Sequence, residues 1–147
     1  MMDSLFEITK AADTFNVDYA IEPVAWHPLS DAEITKEVIE KLNSDHVRVI
    51  FDFANVLPRP DETVQENYWR RCFDLLGDRI EAIHLKDFII NEDGMYTPRS
   101  LSEGCMDYSV LKEYLVGHPD MPVIREEIDP LNAAEDIRFM RKYFDGS

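Results

Sequence analysis

Helical and strand-like periodicities alternate along the whole chain, and that alternation restricts the fold more than any other feature of the sequence. Leu5, Ile8, Ala11, Ala12 and Phe15 have helical spacing, which predicts a helix over residues 3–15. Residues 17–23, VDYAIEP, read as a short strand. Residues 30–42 open at Ser30 with Glu33 three positions on, a capping-box signature. Ile34, Val38, Ile39 and Leu42 then fall on one helical face. The β-branched and aromatic run VRVIFDF predicts a strand over 47–53. A helix with an acidic first turn is expected over 61–76, closed by Gly77. IEAIHL (80–85) is a third strand, and a helix from Asp107 to residue 116 follows. MPVIREE (121–127) is the fourth strand, and residues 132–144 form a last helix capped by Asn132. Residues 88–106 read as a long loop, a length typical of active-site lids.

Short strands alternating with helices imply right-handed βα crossovers and a parallel sheet. The expected fold class is therefore α/β: four parallel βα units behind one helix, in a single domain over residues 1–147. The pattern fits an open four-stranded sheet and half of an eight-stranded barrel equally well.

Each expected strand ends in a group able to hold a metal. Glu22 ends the first, Asp52 the second, His84 the third, and Glu126 and Glu127 the fourth. Parallel strands bring those ends to one face of the sheet, where α/β folds bind ligands. The period of two puts Ala20 with Glu22, Ile50 with Asp52, Ala82 with His84 and Ile124 with Glu126 on one side. Tyr19, Ile21, Val49, Phe51 and Ile83 take the other side, toward the helices, and Arg125 points the same way. Three carboxylates and one imidazole, with no thiolate, suit Mn²⁺ first, or Mg²⁺, Co²⁺ or Zn²⁺.

Composition removes several alternatives. Thirty acids against fifteen bases give a formal net charge of −15. A phosphate backbone requires clustered Lys and Arg, so neither nucleic acid nor an anionic membrane surface is an expected partner. No apolar run reaches the ~18 residues of a membrane-spanning helix. The opening MMDSLFEITKAAD has early acids and no basic segment before an apolar one, so no secretory leader is expected and the location is expected to be cytoplasmic. Cys72 and Cys105 are expected as reduced thiols, with Cys72 in the core.

At the strand ends the chain resembles the sugar phosphate isomerase/epimerase family of xylose isomerase-like TIM barrels. IEPVAWHPL resembles the family's strand-five segment with its Glu, and IFDFANVL the Asp-x-x-Asn segment after strand six. IHLKD matches the His-x-Lys-Asp segment of strand seven, EGCMDYSVLKEYL the Gly-x-x-Asp segment before the seventh helix, and PVIREEI the strand-eight segment. The resemblance runs from residue 4 to 144, with the strand-end residues of its four strand motifs, Glu22, Asp52, His84 and Glu126, spaced by 30, 32 and 42 residues. It implies the C-terminal half of a (β/α)₈ barrel, with one divalent metal on Glu22, Asp52, His84 and Glu126. It also implies that Glu22 and Glu126 are catalytic, exchanging protons with a small sugar or sugar phosphate. Glu127 competes with Glu126, which is preferred because it shares the face of Ile124. An inosose-type dehydratase, or a non-catalytic truncated remnant, fits the same scaffold. Asn55 and Ile90 stand where some epimerases carry His and Arg.

Trp26, His27, Asn55 and Lys86 are the candidate substrate contacts, and Arg99 in the long loop offers an anion contact. His27 reads equally as a turn residue, Trp26 as a rim cover, Asn55 as an orienter of Asp52, and Lys86 as a partner of Asp87 or Asp52. His46 and His118 read as surface turn residues. A complete barrel takes about 250 residues. The half expected here leaves two sheet edges open, so a homodimer that closes eight strands is one expectation and a piece of a longer protein the other.

Overall fold

The computed structural model describes residues 1–57, 62–92 and 96–145. Its elements are α1 (Met2–Phe15), β1 (Tyr19–Ile21), α2 (Ala32–Leu42), β2 (Val47–Asp52), α3 (Phe53–Val56) and α4 (Glu62–Leu76). There follow β3 (Ile80–Leu85), β4 (Asp87–Ile90), β5 (Tyr96–Arg99), α5 (Ser109–Gly117), β6 (Val123–Arg125) and α6 (Ala133–Met140). A short 3₁₀ turn at Gly77–Arg79 leads into β3, and a π-helical turn at Arg141–Asp145 ends α6. Asp61, where the sequence places the start of its third expected helix (α4 here), lies outside the described residues.

Four strands form one parallel sheet in the order β1-β2-β3-β6. The chain thus steps across the sheet one βα unit at a time, as in part of a TIM barrel. Between β2 and β3 the register shifts at Val49/Ile50, after which Asp52 faces His84 across the ladder. Val47, Val49, Phe51, Ile83 and Leu85 are buried on the helix side. Phe51 and Phe53 pack there against Trp69 of α4, with Phe53 stacked on the indole at 3.8 Å between centroids. The opposite side keeps Ala20 and Ile124 exposed and Ile50 and Ala82 half-buried. The two-residue alternation read from the sequence therefore separates the two faces as expected.

Several local expectations are corrected. The cap of α2 is Asp31 rather than Ser30; its carboxylate accepts the Ile34 N–H at 2.8 Å. The buried face of α2 carries Ala32, Thr35, Val38, Ile39 and Leu42, and Ile34 is left outside it. Thr35 can be buried because its hydroxyl donates to the Asp31 carbonyl at 2.7 Å. In α1 the buried positions are Thr9 and Ala12, while Ile8 and Phe15 are exposed. That helix packs on α2 and reaches β1 through Thr9, whose hydroxyl lies 2.7 Å from the Tyr19 hydroxyl, and this leaves Ile8 and Phe15 on its outer side. Asn132 sits at the α6 N-cap without a side-chain cap bond. Residues 88–106 are not a plain loop: β4 and β5 pair as an antiparallel hairpin with Asp87 opposite Arg99.

Candidate metal centre

Glu22 follows the end of β1, Asp52 ends β2, His84 lies near the end of β3, and Glu126 follows β6. One ligand atom from each lies within 4.8 Å of the others. His84 Nδ1 stands 3.6 Å from Glu22 Oε1 and 3.4 Å from Glu126 Oε2. The parallel sheet brings these residues together although the chain separates them widely. Glu126 is held in line because its N–H continues the β3–β6 ladder onto the Leu85 carbonyl at 3.1 Å. Glu127 turns away through a left-handed backbone, φ 53°, and its carboxylate joins Lys86 instead.

Asp52 is fully buried. Its Oδ1 accepts the Asn55 N–H at 3.2 Å and so caps α3. Asn55 then spends its side chain on two partners. Its amide donates to Glu22 Oε1 at 2.9 Å, and its carbonyl accepts from Lys86 Nζ at 3.2 Å. Lys86 Nζ also lies 3.2 Å from Asp52 Oδ2, 2.9 Å from Glu126 Oε2 and 3.3 Å from Glu127 Oε1. Of the two pairings read from the sequence for Lys86, the structure makes the one with Asp52. Asp87 faces another way.

Burial pushes the Asp52 carboxyl up to about 6, against the opposing pull of the Lys86 ammonium. Burial also works against the charge on Lys86, yet Glu126 and Asp52 outweigh it and hold the ammonium above its ordinary range. Glu126 feels burial in the same sense, but Lys86 and His84 leave it below the usual carboxylate value.

Asp52 Oδ2, Glu126 Oε2 and His84 Nδ1 are buried with no hydrogen bond, the Lys86 contacts being charge pairs without hydrogen-bond alignment. Three convergent orphaned atoms beside a fourth carboxylate are what a divalent ion satisfies, and an O₃N donor set suits a hard or borderline cation. The residues present therefore fit a metal.

A cavity of about 460 Å³ opens beside the cluster, walled by Trp26, Asn55, Leu57, Phe88, Tyr96 and Glu127 among others. Trp26 is 75% exposed and gives the cavity a face rather than a floor. His27 stands outside that wall, its ring edge-on to Trp26 at 6.2 Å. His46 is tied to Asp18 at 2.6 Å, and His118 stacks on Tyr114, both away from the cluster. Cys72 is buried and its thiol is pushed up to about 12 by desolvation; no disulfide joins it to Cys105.

Two features escaped the sequence reading. Asp87 does not face the cluster: its carboxylate accepts the backbone N–H groups of Phe88, Ser102, Gly104 and Met106 at 2.9–3.1 Å. The His-x-Lys-Asp spacing was visible, but its last member serves the following loop. Arg125, expected on the helix side, pairs there with the buried Asp136 of α6 at 2.7 Å. Its guanidinium also donates to the carbonyls of Leu85, Glu126 and Arg99. Arg99, by contrast, directs its own guanidinium to the Pro98 carbonyl.

A family model described as a xylose isomerase-like TIM barrel matches residues 1–143. Similar solved structures include a xylose isomerase domain protein from Planctomyces limnophilus (17% identity, TM-score 0.68, covering 99% of this chain and 52% of that one). A second is 3-keto-D-glucoside 4-epimerase from E. coli (19% identity, TM-score 0.67, covering 95% and 51%). A third is a xylose isomerase-like TIM barrel protein from Mycobacterium smegmatis in complex with magnesium (15% identity, TM-score 0.70, covering 99% and 49%). The chain spans about half the length of these structures. A comparison with curated proteins gives no match.

Proposed function

The chain belongs to the xylose isomerase-like TIM-barrel family, and from that premise we propose that it is a divalent-metal-dependent isomerase or epimerase of a small sugar or sugar phosphate. The convergence of Glu22, Asp52, His84 and Glu126, with three of their atoms buried and unbonded, carries this reading. Mn²⁺ is the proposed ion. The epimerase activity and the bound magnesium named for two similar structures lend support.

In this reading all four residues hold the metal. A bound divalent ion supplies the positive charge that acidifies a C–H next to a carbonyl. Glu22 reaches the site from the β1 edge of the sheet and Glu126 from the β6 edge, with His84 between them. One carboxylate takes the proton from one side of the substrate and the other returns it from the opposite side. Asn55 holds Glu22 at its Oε1 and Lys86 at its Nζ, and so keeps both aimed. Trp26 and Asn55 present an aromatic face and an amide to substrate, and Lys86 neutralises charge that builds on a substrate oxygen.

The sheet needs closing for such a site to be walled all round. β1 and β6 pair on one side only among the described residues, and Ala20 and Ile124 of the inner face are exposed. We propose that a second copy, related by two-fold symmetry, supplies the other strands. Light scattering that returns a monomer of the chain's 17.1 kDa refutes this pairing.

Calorimetric titration with Mn²⁺, wild type against Glu22→Gln, tests the metal centre. Micromolar or tighter binding that disappears in the variant is the expected result. Binding in neither protein, or equal binding in both, refutes the assignment. Product analysis on the metal-loaded protein then separates epimerisation from dehydration on the same scaffold.

A further inference from the structure

Two consecutive glutamates follow β6, and they serve different partners. Glu126 continues the ladder and turns its Oε2 toward His84. Glu127 has a left-handed backbone, φ 53°, a conformation uncommon for a residue with a Cβ. That turn sends its carboxylate to Lys86, at 3.3 Å. Glu127 is not one of the four residues whose ligand atoms converge.

Lys86 stands between two sets of oxygens. On one side are Asp52 Oδ2 at 3.2 Å and Glu126 Oε2 at 2.9 Å, charge contacts without hydrogen-bond alignment. On the other are Asn55 Oδ1 at 3.2 Å and Glu127 Oε1 at 3.3 Å, both aligned hydrogen bonds. Asn55, Lys86 and Glu127 line the cavity. Asp52 Oδ2 and Glu126 Oε2 are orphaned buried atoms of the kind a divalent ion satisfies. One cation therefore already lies against the oxygens suited to another. Carboxylate oxygens gathered within 4.8 Å of one another repel, and the ammonium offsets that repulsion while no metal is bound. With a divalent ion on the same oxygens, the ammonium's place beside them becomes repulsive. Asn55 and Glu127 give it somewhere to stay, because they already accept from two of its three N–H groups.

We propose that Lys86 is a built-in counter-ion that stands in for the metal at Asp52 and Glu126, and that Glu127, with Asn55, receives it when a divalent ion takes those oxygens. Glu127 is thus a positioning residue that acts through Lys86. The ammonium withdraws toward the cavity, so metal loading and the presentation of a positive charge to the cavity are one event. The proposal rests on the metal-binding reading above and goes beyond it by giving a role to a residue outside the ligand set.

A double-mutant cycle on Mn²⁺ affinity tests this, by calorimetry at pH 7 on wild type, Glu127→Gln, Lys86→Met and the double variant. Lys86→Met is expected to bind Mn²⁺ ~10-fold or more tightly than wild type, because the competing charge is gone. Glu127→Gln is expected to bind about three- to five-fold more weakly, near the upper end for an exposed ion pair. In the Lys86→Met background the same substitution is expected to change affinity by less than about 1.5-fold. Lys86→Gln repeats the cycle with an uncharged residue that keeps a hydrogen-bond donor, so that a folding defect peculiar to Met is recognised. Equal weakening by Glu127→Gln in both backgrounds, or weaker Mn²⁺ binding in both Lys86 variants, overturns the proposal and leaves the metal centre in place. Loss of binding in Glu127→Gln with or without Lys86 makes Glu127 a ligand and overturns it as well. No Mn²⁺ binding by wild type overturns both the proposal and the metal centre.

Discussion

Replacing Lys86 by Met in the metal-free protein isolates the electrostatics of the strand ends. Lys86 Nζ lies 3.2 Å from Asp52 Oδ2, and Asp52 is 0% exposed. At that distance and an effective dielectric of about 20, the gross attraction is about 5 kcal/mol. Removing one partner of a buried pair typically costs about 3–5 kcal/mol, because the other charge is left uncompensated. Asp52 has an escape, since it can take up a proton. Its folded carboxyl titrates near 6, above the ordinary 3.8. A carboxyl raised in this way contributes its stability in full below the unfolded value and loses it as pH rises through the folded value. Met at position 86 removes the opposing Lys86 charge and moves the folded value further up. The extra loss therefore develops only above about pH 6. Glu126 and Glu127, with side chains 41% and 54% exposed, add less than about 1 kcal/mol each. Urea denaturation in the presence of a chelator is the assay. Lys86→Met is expected to match wild type closely at pH 5 and to lose up to about 2.7 kcal/mol at pH 8, two pH units above the wild-type Asp52 value at about 1.36 kcal/mol per unit. Asp52→Asn in the same background should restore most of that loss at pH 8. An equal loss at both pH values would show that Lys86 acts through packing and refute the charge argument.

Two further outcomes follow from the same geometry. Mn²⁺ affinity should fall about ten-fold per pH unit below about 6, as protons compete for the buried Asp52 carboxylate; titrations at pH 5 and 7 that agree would contradict this. Gly104→Ala should lower stability by about 2 kcal/mol or more, because the new Cβ would meet Asp87 Oδ1 at 2.0 Å and the Phe88 carbonyl at 2.6 Å; an unchanged melting temperature would disprove the tight fit.

The strand framework was legible because each strand announces itself twice, by β-branched residues and by a polar group where the run ends. Ile80–Leu85 is found at the residues the sequence indicates, and the alternation correctly assigned Phe51 to the core and His84 to the site face. The β4–β5 hairpin was not legible. Pro98 lies in β5 and the intervening NEDG reads as loop, while the pairing of Asp87 with Arg99 leaves no periodic trace. The stripe of α1 misled for a different reason: periodicity reports an apolar face, not whether a neighbour covers it. Buried polar groups were least visible. Nothing in the local sequence distinguishes Asp136, buried against Arg125, from the exposed acids around it. Nor does the sequence show that four N–H groups, from Phe88 and from residues 102–106, converge on Asp87. Such partners are chosen by tertiary folding alone.

Arg125 gives the cavity wall and the proposed metal ligand a common mechanical anchor. One guanidinium bonds the carbonyl of Arg99 at the end of the hairpin and the carbonyl of Glu126 at the strand end, and it is pinned to α6 through Asp136. A push on the hairpin, which carries Phe88 and Tyr96, is thereby transmitted to the backbone of Glu126 through a single planar lever. Changes in the hairpin's sequence that tilt it would reset the carboxylate's aim as well, so the shape of the cavity wall and the position of a proposed metal ligand are geared to one another.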